Sequence, residues 1–246
     1  MVVRAARLCA FGAGIAGCGS PPVNPEALIA AMRAVEANPD AAEAHCAALP
    51  AGPHRGDCIV AAVEKLAATR PAEAEALCLG LGDAGGVAAQ QECWFQLAER
   101  SKDAGICARA GSFADDCRIH VWTAVVPGLV AALAPRDPWE PATVDTLRTA
   151  ATDLGFDADD HRVWTVVFRH LHHRSGAPAT SACAGVPQQL ATWCAEAALG
   201  VYRDQLRFLR DSARFPCTEA PAATDDPDGR LRAIHTQLAA EAGCTP

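Results

Sequence analysis

The sequence predicts an all-α protein made of stacked helical hairpins that disulfides cross-link. Alanine, leucine, glutamate and arginine, which favour helix, are abundant, and no long stretch alternates polar and apolar residues as a half-buried strand does. Cysteine-containing motifs recur about 30 residues apart, a period typical of helical-hairpin repeats. In chain order, the predicted parts are a leader over residues 1–17, a tether over 18–23, a repeat region over 24–134, a proline-rich linker over 135–141 and a second helical region over 142–246.

The first 17 residues have the composition of a secretory leader. Arg4 and Arg7 supply positive charge, a short apolar run follows, and small residues precede Cys18. The apolar run is far shorter than the ~20 residues that cross a bilayer as a helix. It is therefore a poor membrane anchor by itself.

The motif Ile15-Ala16-Gly17-Cys18 resembles the lipobox of a bacterial lipoprotein signal peptide. This resemblance implies cleavage before Cys18, acyl chains on Cys18 that insert among membrane lipids, and a mature chain in the bacterial cell envelope. Gly19 stands where an aspartate retains some lipoproteins at the inner membrane, so the resemblance favours the outer membrane, with the protein facing the periplasm. The alternatives are an ordinary secreted leader and the alanine- and glycine-rich N-terminus of a cytosolic protein.

A short motif that ends in a cysteine defines the repeat. It occurs at residues 42–46 and 74–78 and, more loosely, at 102–107. A loop and a second cysteine follow each copy, and the next segment has apolar side chains spaced as on one face of a helix. The second cysteines are Cys58, Cys93 and Cys117, and Cys183 with Cys194 forms a fourth, displaced copy.

This repeat also predicts how the cysteines pair. Ten of the 12 cysteines remain beyond Cys9 and Cys18, and such an even set in an exported chain predicts a disulfide framework. A first cysteine near the end of one helix meets the second on the apolar face of the next, and the last two cysteines pair by elimination. The predicted bonds are Cys46–Cys58, Cys78–Cys93, Cys107–Cys117, Cys183–Cys194 and Cys217–Cys244. Free buried thiols are the alternative, and the spacings argue against paired zinc ligands.

Several residues predict where helices begin or change direction. Asn24 and Asp226, each followed by proline, predict N-caps with proline at the first helical position. Ser112 has the spacing of a capping box with the acidic residue three positions later. Pro127 lies inside a long apolar helix and should kink or end it.

The segment from Asp157 to His173 carries the best candidates for chemistry, because carboxylates and imidazoles bind metals and transfer protons. On one helix, His170 and His173 share a face, whereas His161 points roughly to the opposite side. No three-histidine site therefore forms on one helix, and these three histidines are weak metal candidates.

The favoured interpretation of this segment is structural. A helix runs from about residue 159 to 173, Asp157 or Asp159 caps it, and the histidines decorate its C-terminal end, where the helix dipole favours imidazolium. Elsewhere, His120 follows Cys117 by one helical turn. A nucleophilic Cys–His pair needs a free thiolate, however, and a disulfide removes it.

Composition limits the classes of function. The chain has 21 basic and 29 acidic residues and a formal net charge of −8, which argues against nucleic acid, because nucleic acid attracts clustered lysine and arginine. Stacked hairpins present extended surfaces that bind protein segments. The sequence therefore predicts a non-enzymatic interaction or scaffold lipoprotein that binds an envelope protein and needs no cofactor. The alternatives are a metal-binding protein or enzyme that uses the segment from Asp157 to His173, and a purely structural envelope component.

Overall fold

The computed structural model describes residues 24–82, 85–133, 139–175 and 179–244. Over these ranges the chain forms α-helices and 3-10 segments and no strand, so the all-α prediction is confirmed. The α-helices are α1 (Pro25–Ala37), α2 (Ala42–Ala47), α3 (Pro53–Leu66), α4 (Pro71–Leu81), α5 (Val87–Ser101), α6 (Ala114–Leu133), α7 (Pro141–Asp153), α8 (His161–Ser175), α9 (Gln188–Asp211) and α10 (Arg230–Glu241). The 3-10 segments are Pro39–Ala41, Ala104–Phe113 and Thr180–Cys183.

Proline begins several of these helices, because the N–H that it lacks has no partner in the first turn and its fixed φ fits the helix. The first residues of α1, α3, α4 and α7 are Pro25, Pro53, Pro71 and Pro141. Asn24 caps α1 as predicted, since its Oδ1 accepts a hydrogen bond from the backbone N–H of Glu26 at 3.0 Å.

The first half of the chain surrounds one apolar core, called here the N-terminal core. Helix α3 lies at its centre and packs against α1, α2, α4 and α5. Trp94 and Leu97 of α5 are among its buried side chains. The cysteines buried in it are Cys46, Cys58, Cys78, Cys93, Cys107 and Cys117. Because helices this short are marginal in water by themselves, the buried cross-links and the shared core hold them together.

A second core, called here the C-terminal core, lies among α6, α7, α8 and α9. Trp164 and Phe168 of α8 are fully buried in it, and their rings pack 5.9 Å apart. Trp139 packs against the ring of Phe168 at 5.3 Å, immediately before α7 begins. The rest of the predicted linker, up to residue 138, lies outside the described residues.

Helix α6 belongs to both cores. Val121 is buried in the N-terminal core, and the next residue, Trp122, is buried in the C-terminal core. Pro127 lies within α6, yet the helix continues to Leu133, so the proline does not end it. Through α6, the packing of the repeat region continues into the second helical region.

In the described ranges, the stretch Ala104–Leu133 is long and apolar enough to cross a membrane by length and composition, with a mean hydropathy of 1.2. Gly111, with φ of 60° and ψ of −120°, interrupts the helical geometry within that stretch. The buried side chains of α6 belong to the two cores. Packing within the chain buries 28% of the apolar window in this stretch.

Two of the predicted caps differ from the structure. Helix α10 begins at Arg230, three residues after Pro227, the predicted first helical position. The carboxylate of Asp226 still accepts hydrogen bonds from the backbone N–H groups of Leu231 and Arg232, at 2.9 and 2.8 Å. Ser112 forms no capping box, because its hydroxyl donates to Oε1 of Gln91 at 3.1 Å. In each case a longer-range contact replaces the expected local one.

Candidate functional site

The predicted lipidation site lies outside the described residues. Cys18, the leader over 1–17 and the tether over 18–23 all precede Asn24, the first described residue. Acylation of Cys18 and the location in the envelope therefore stay predictions.

All five predicted disulfides are confirmed. They join Cys46 to Cys58, Cys78 to Cys93, Cys107 to Cys117, Cys183 to Cys194, and Cys217 to Cys244, with Cα–Cα distances of 5.5 to 5.9 Å. These distances are normal for disulfides. Four of the bonds join consecutive elements of a hairpin, as the repeat predicts.

The nucleophilic pair of Cys117 and His120, considered from the sequence, does not exist in the structure. Cys117 is bonded to Cys107, so it has no thiolate to offer. The imidazole of His120 instead places Nδ1 3.5 Å from a carboxylate oxygen of Glu99, and its ring stands edge-on to Phe95 at 4.9 Å. His120 therefore takes part in packing between α5 and α6.

The acidic residues before α8 cap the helix, but through a different aspartate from those predicted. Asp160, not Asp157 or Asp159, accepts the backbone N–H of Arg162, at 2.8 Å. The Arg162 guanidinium also bonds this carboxylate at 2.8 Å, and this bond holds the pKa of Asp160 below its ordinary value. Asp159 pairs with Arg148 of α7 at 3.0 Å. The carboxylates of Asp159 and Asp160 therefore take part in ion pairs and in capping α8.

The three histidines that the sequence raised as metal candidates occupy different surroundings. His161 is exposed, and its Nε2 lies 3.2 Å from the hydroxyl of Thr165. His170 is partly buried, and burial is the main cause that lowers its pKa. His173 is exposed. Over the described ranges, none of the three belongs to a group of three His, Cys, Asp or Glu side chains with ligand atoms within 4.8 Å of one another.

His172, one of the histidines predicted to decorate the C-terminal end of α8, has a different environment from the predicted one. It does not decorate an exposed end of α8: only 4% of its surface is exposed. Its Nε2 lies 3.7 Å from Sγ of Cys194 and 3.9 Å from Sγ of Cys183. A signal for this burial was present in the sequence, because Trp164, Phe168 and His172 are four residues apart and share one helix face.

A groove of about 360 Å³ lies between α2, α3 and α4. Ile59 and Leu66 of α3 and Leu77 and Leu81 of α4 supply its apolar surface. The other lining residues are Pro39, Asp40, Ala42, Glu43, Ala47, Arg55, Glu73, Ala76 and Gly80. Its volume is at the small end of the range for ligand pockets, about 300–1,000 Å³, which suits a few side chains rather than a large cofactor.

Most charged groups of the groove already have partners. Arg55 donates through Nε to the backbone carbonyl of Leu49 at 2.9 Å, and Arg70 bridges the carboxylates of Asp40 and Glu73. Glu43 is exposed and makes no ion pair with any residue that the structure describes. The groove therefore presents an apolar surface beside an available carboxylate.

Two disulfides hold the helices around the groove. Cys46 of α2 is bonded to Cys58 of α3, and Cys78 of α4 is bonded to Cys93 of α5. Because α3 also packs against α4 and α5, each helix of the groove is fixed to its neighbours by a bond or by the N-terminal core. The groove is thus formed before any ligand arrives, which lowers the entropy cost of binding.

The fold and the groove define a class of protein: an all-α array of disulfide-linked helical hairpins with a preformed groove. No family model, no curated protein and no solved structure matches the chain. The groove, the disulfides and the sequence are therefore the features that bear on its function.

Proposed function

We propose that the chain is a non-enzymatic interaction module of the bacterial envelope, held at the membrane by lipid on Cys18, and that its groove binds an apolar, basic segment of a partner protein. The single observation behind this proposal is the carboxylate of Glu43, which has no ion-pair partner among the described residues and borders an apolar groove.

The groove chemistry favours binding over catalysis. A group that acts on a substrate must be free to contact the reacting atoms. Arg55 is instead committed to the carbonyls of Leu49 and Ala47, and Arg70 is committed to two carboxylates. The surface that is left, an apolar floor with one acidic group, is complementary to an apolar side chain that lies beside a lysine or arginine.

The position of the groove along the chain supports a partner near the membrane. The predicted tether has six residues, and a fully extended chain of that length spans at most about 20 Å. Acylated Cys18 would therefore keep α1, and the groove formed by the next three helices, close to the bilayer. Five disulfides agree with this location, because disulfides persist in oxidising compartments such as the periplasm.

Site-specific photocrosslinking in intact cells tests the proposal. Ala76 is exposed and lines the groove, whereas Ala88 of α5 is exposed outside it. A photoreactive side chain at position 76 is expected to capture a partner through a segment in which apolar and basic residues alternate or adjoin. The same side chain at position 88 serves as the matched control and is expected to give no such adduct.

Charge reversal sharpens this experiment. Glu43→Arg is expected to reduce the adduct at position 76 at least several-fold, while Glu219→Arg, an exposed acidic residue remote in sequence, leaves it unchanged. Identical adducts at positions 76 and 88, or an adduct at 76 that survives Glu43→Arg undiminished, would contradict the proposed function.

A further inference from the structure

A second feature of the molecule is unrelated to the groove: a buried imidazole lies against a disulfide. His172 of α8 faces the bond between Cys183, at the end of a 3-10 segment, and Cys194 of α9. The Nε2 and the two Sγ atoms all lie within 4.8 Å of one another, and all three residues are buried. Over the described ranges no other trio of His, Cys, Asp or Glu side chains meets this distance.

The distances from Nε2 of His172 to the two sulfurs are close to those in a zinc site, although the sulfurs are bonded to each other. Zinc binds thiolate sulfur at about 2.3 Å and imidazole nitrogen at about 2.0–2.1 Å, so tetrahedral geometry puts nitrogen and sulfur about 3.5 Å apart. Nε2 of His172 already lies 3.7 and 3.9 Å from the two sulfurs. The two sulfurs, in contrast, are much closer together in the disulfide than in a tetrahedral zinc site. Breaking the disulfide would allow them to move apart.

The geometry points to a thiol-dependent metal site at His172, Cys183 and Cys194 that binds Zn²⁺ when the disulfide is reduced. A dithiol reductant transfers two electrons and two protons to the bond, which yields two thiols, and the reductant becomes a disulfide. Zn²⁺ then binds both sulfurs as thiolates together with Nε2, and two protons are released. Water would occupy the fourth position of the tetrahedron.

The surroundings of His172 suit a metal ligand. Burial is the main cause that lowers the pKa of His172; a hydrogen bond with the backbone of Cys194 opposes this shift, and the neighbouring His173 adds a smaller lowering contribution. The neutral form of imidazole is the one that binds metal. The oxidised protein has no thiolate at this place, so metal binding would report on the redox state of one bond.

The first test compares zinc binding before and after reduction of the full-length protein in detergent. After treatment with a dithiol under anaerobic conditions, the wild type is expected to gain a Zn²⁺ ion that His172→Gln binds at least 10-fold more weakly. His173→Gln is the matched control, because His173 is adjacent but exposed, and it should bind as the wild type does. Equal zinc affinity in the wild type and His172→Gln would overturn the proposal.

A second measurement needs no substitution and so does not depend on whether a variant folds. Peptide mapping after alkylation shows which thiols react in the reduced protein. Zn²⁺ is expected to slow alkylation of Cys183 and Cys194 at least 10-fold, and to protect the eight cysteines of the other four disulfides less. Unchanged alkylation of these two thiols at saturating Zn²⁺ would overturn the proposal, since it would show that the opened pair holds no metal. The groove proposal is unaffected by either result, because its readout is a protein adduct.

Discussion

Nε1 of Trp122 donates a hydrogen bond to the backbone carbonyl of Val163 at 2.9 Å, in the interior between α6 and α8. Both residues are almost completely buried, with exposed fractions of 0% and 1%. The bond satisfies the only polar atom of the indole and fixes how α6 sits against α8. It is therefore a contact through which the helix shared by the two cores is held to the second half of the chain.

Replacing Trp122 with phenylalanine should destabilise the fold by about 2–4 kcal/mol, because the variant loses the buried hydrogen bond and leaves part of the indole volume empty. Urea unfolding followed by far-ultraviolet circular dichroism measures this loss. The control is Trp193→Phe, a half-buried tryptophan that contacts the ring of His161 at 5.6 Å. We expect that control to lose much less, and equal losses in the two variants would contradict the structural role of Trp122.

Removing the disulfide between Cys46 and Cys58 should have two effects. Replacing both residues with alanine should lower the free energy of unfolding by about 3 kcal/mol, because the cross-link restricts the unfolded chain. It should also weaken crosslinking from position 76, since α2 is then no longer bonded to α3 beside the groove.

The matched control for this pair is the alanine double variant of Cys217 and Cys244, whose disulfide spans 27 residues near the C-terminus. Its loss of stability should be similar, but crosslinking from position 76 should persist at temperatures where the protein is folded. If both double variants abolish the adduct equally, pre-organisation of the groove by its own disulfide is the wrong explanation.

The disulfide pairing could be predicted from the sequence because it depends on local order along the chain. A motif that repeats the same cysteine, loop and cysteine in successive hairpins leaves little choice of partner for Cys46, Cys78 or Cys107. The apolar spacing after each second cysteine likewise fixes which side of α3, α5 or α6 is buried.

The groove and the histidine cluster could not be predicted in the same way. The groove depends on how far apart α2, α3 and α4 lie, and no spacing within one helix encodes that distance. The spacing from Phe168 predicts that His172 lies on the buried face of α8. Its contact with Cys194, however, depends on how α8 crosses α9. Asp226 was predicted as a cap, but the start of α10 was placed three residues too early for a related reason: a turn separates the carboxylate from α10, so its partners are five and six residues away.

Asp226 should make the fold sensitive to acid. Burial opposes ionisation of this carboxyl, but hydrogen bonds from the backbone N–H groups of Arg232 and Leu231, together with contributions from Asp228 and from the charge of Arg232, hold the pKa of Asp226 below its ordinary value. A carboxyl whose pKa is lower in the folded state stabilises the fold above its unfolded pKa of about 4, and this contribution is lost as the pH falls through the folded value.

Asp226→Asn should therefore lower the urea concentration at the midpoint of unfolding most at neutral pH. The difference in this midpoint between the variant and the wild type should become smaller as the solution is acidified. Urea titrations across this pH range measure the effect. Asp225→Asn is the control, because Asp225 is exposed, and it should follow the wild-type curve. A difference for Asp226→Asn that is constant with pH would show that the carboxylate charge is not what stabilises the cap.

Tyr202, the only tyrosine of the chain, should titrate unusually late. Burial, with a smaller contribution from the charge of Asp226, raises the pKa of Tyr202 from 10.0 to about 12. Its contribution to stability is therefore complete below about pH 10 and is lost as the pH rises through the folded value. Ultraviolet difference absorbance should show phenolate forming near pH 12 in the folded protein and near pH 10 in denaturant. Identical titrations in both conditions would show that Tyr202 is exposed to solvent.

Cys18→Ser should release the chain from the membrane, because several acyl chains on one cysteine bind a bilayer far better than the tether alone. Cell fractionation, with the intact mass of the membrane-extracted wild type, measures this. A mature wild-type chain that begins at Cys18 should be heavier by its acyl groups and lighter by the ten hydrogens lost in five disulfides. Cys9→Ser, within the leader, is the control and should stay membrane-bound. An uncut chain in which all 12 cysteines can be alkylated would contradict the predicted anchor and would place the protein in a reducing compartment, where disulfides are rare.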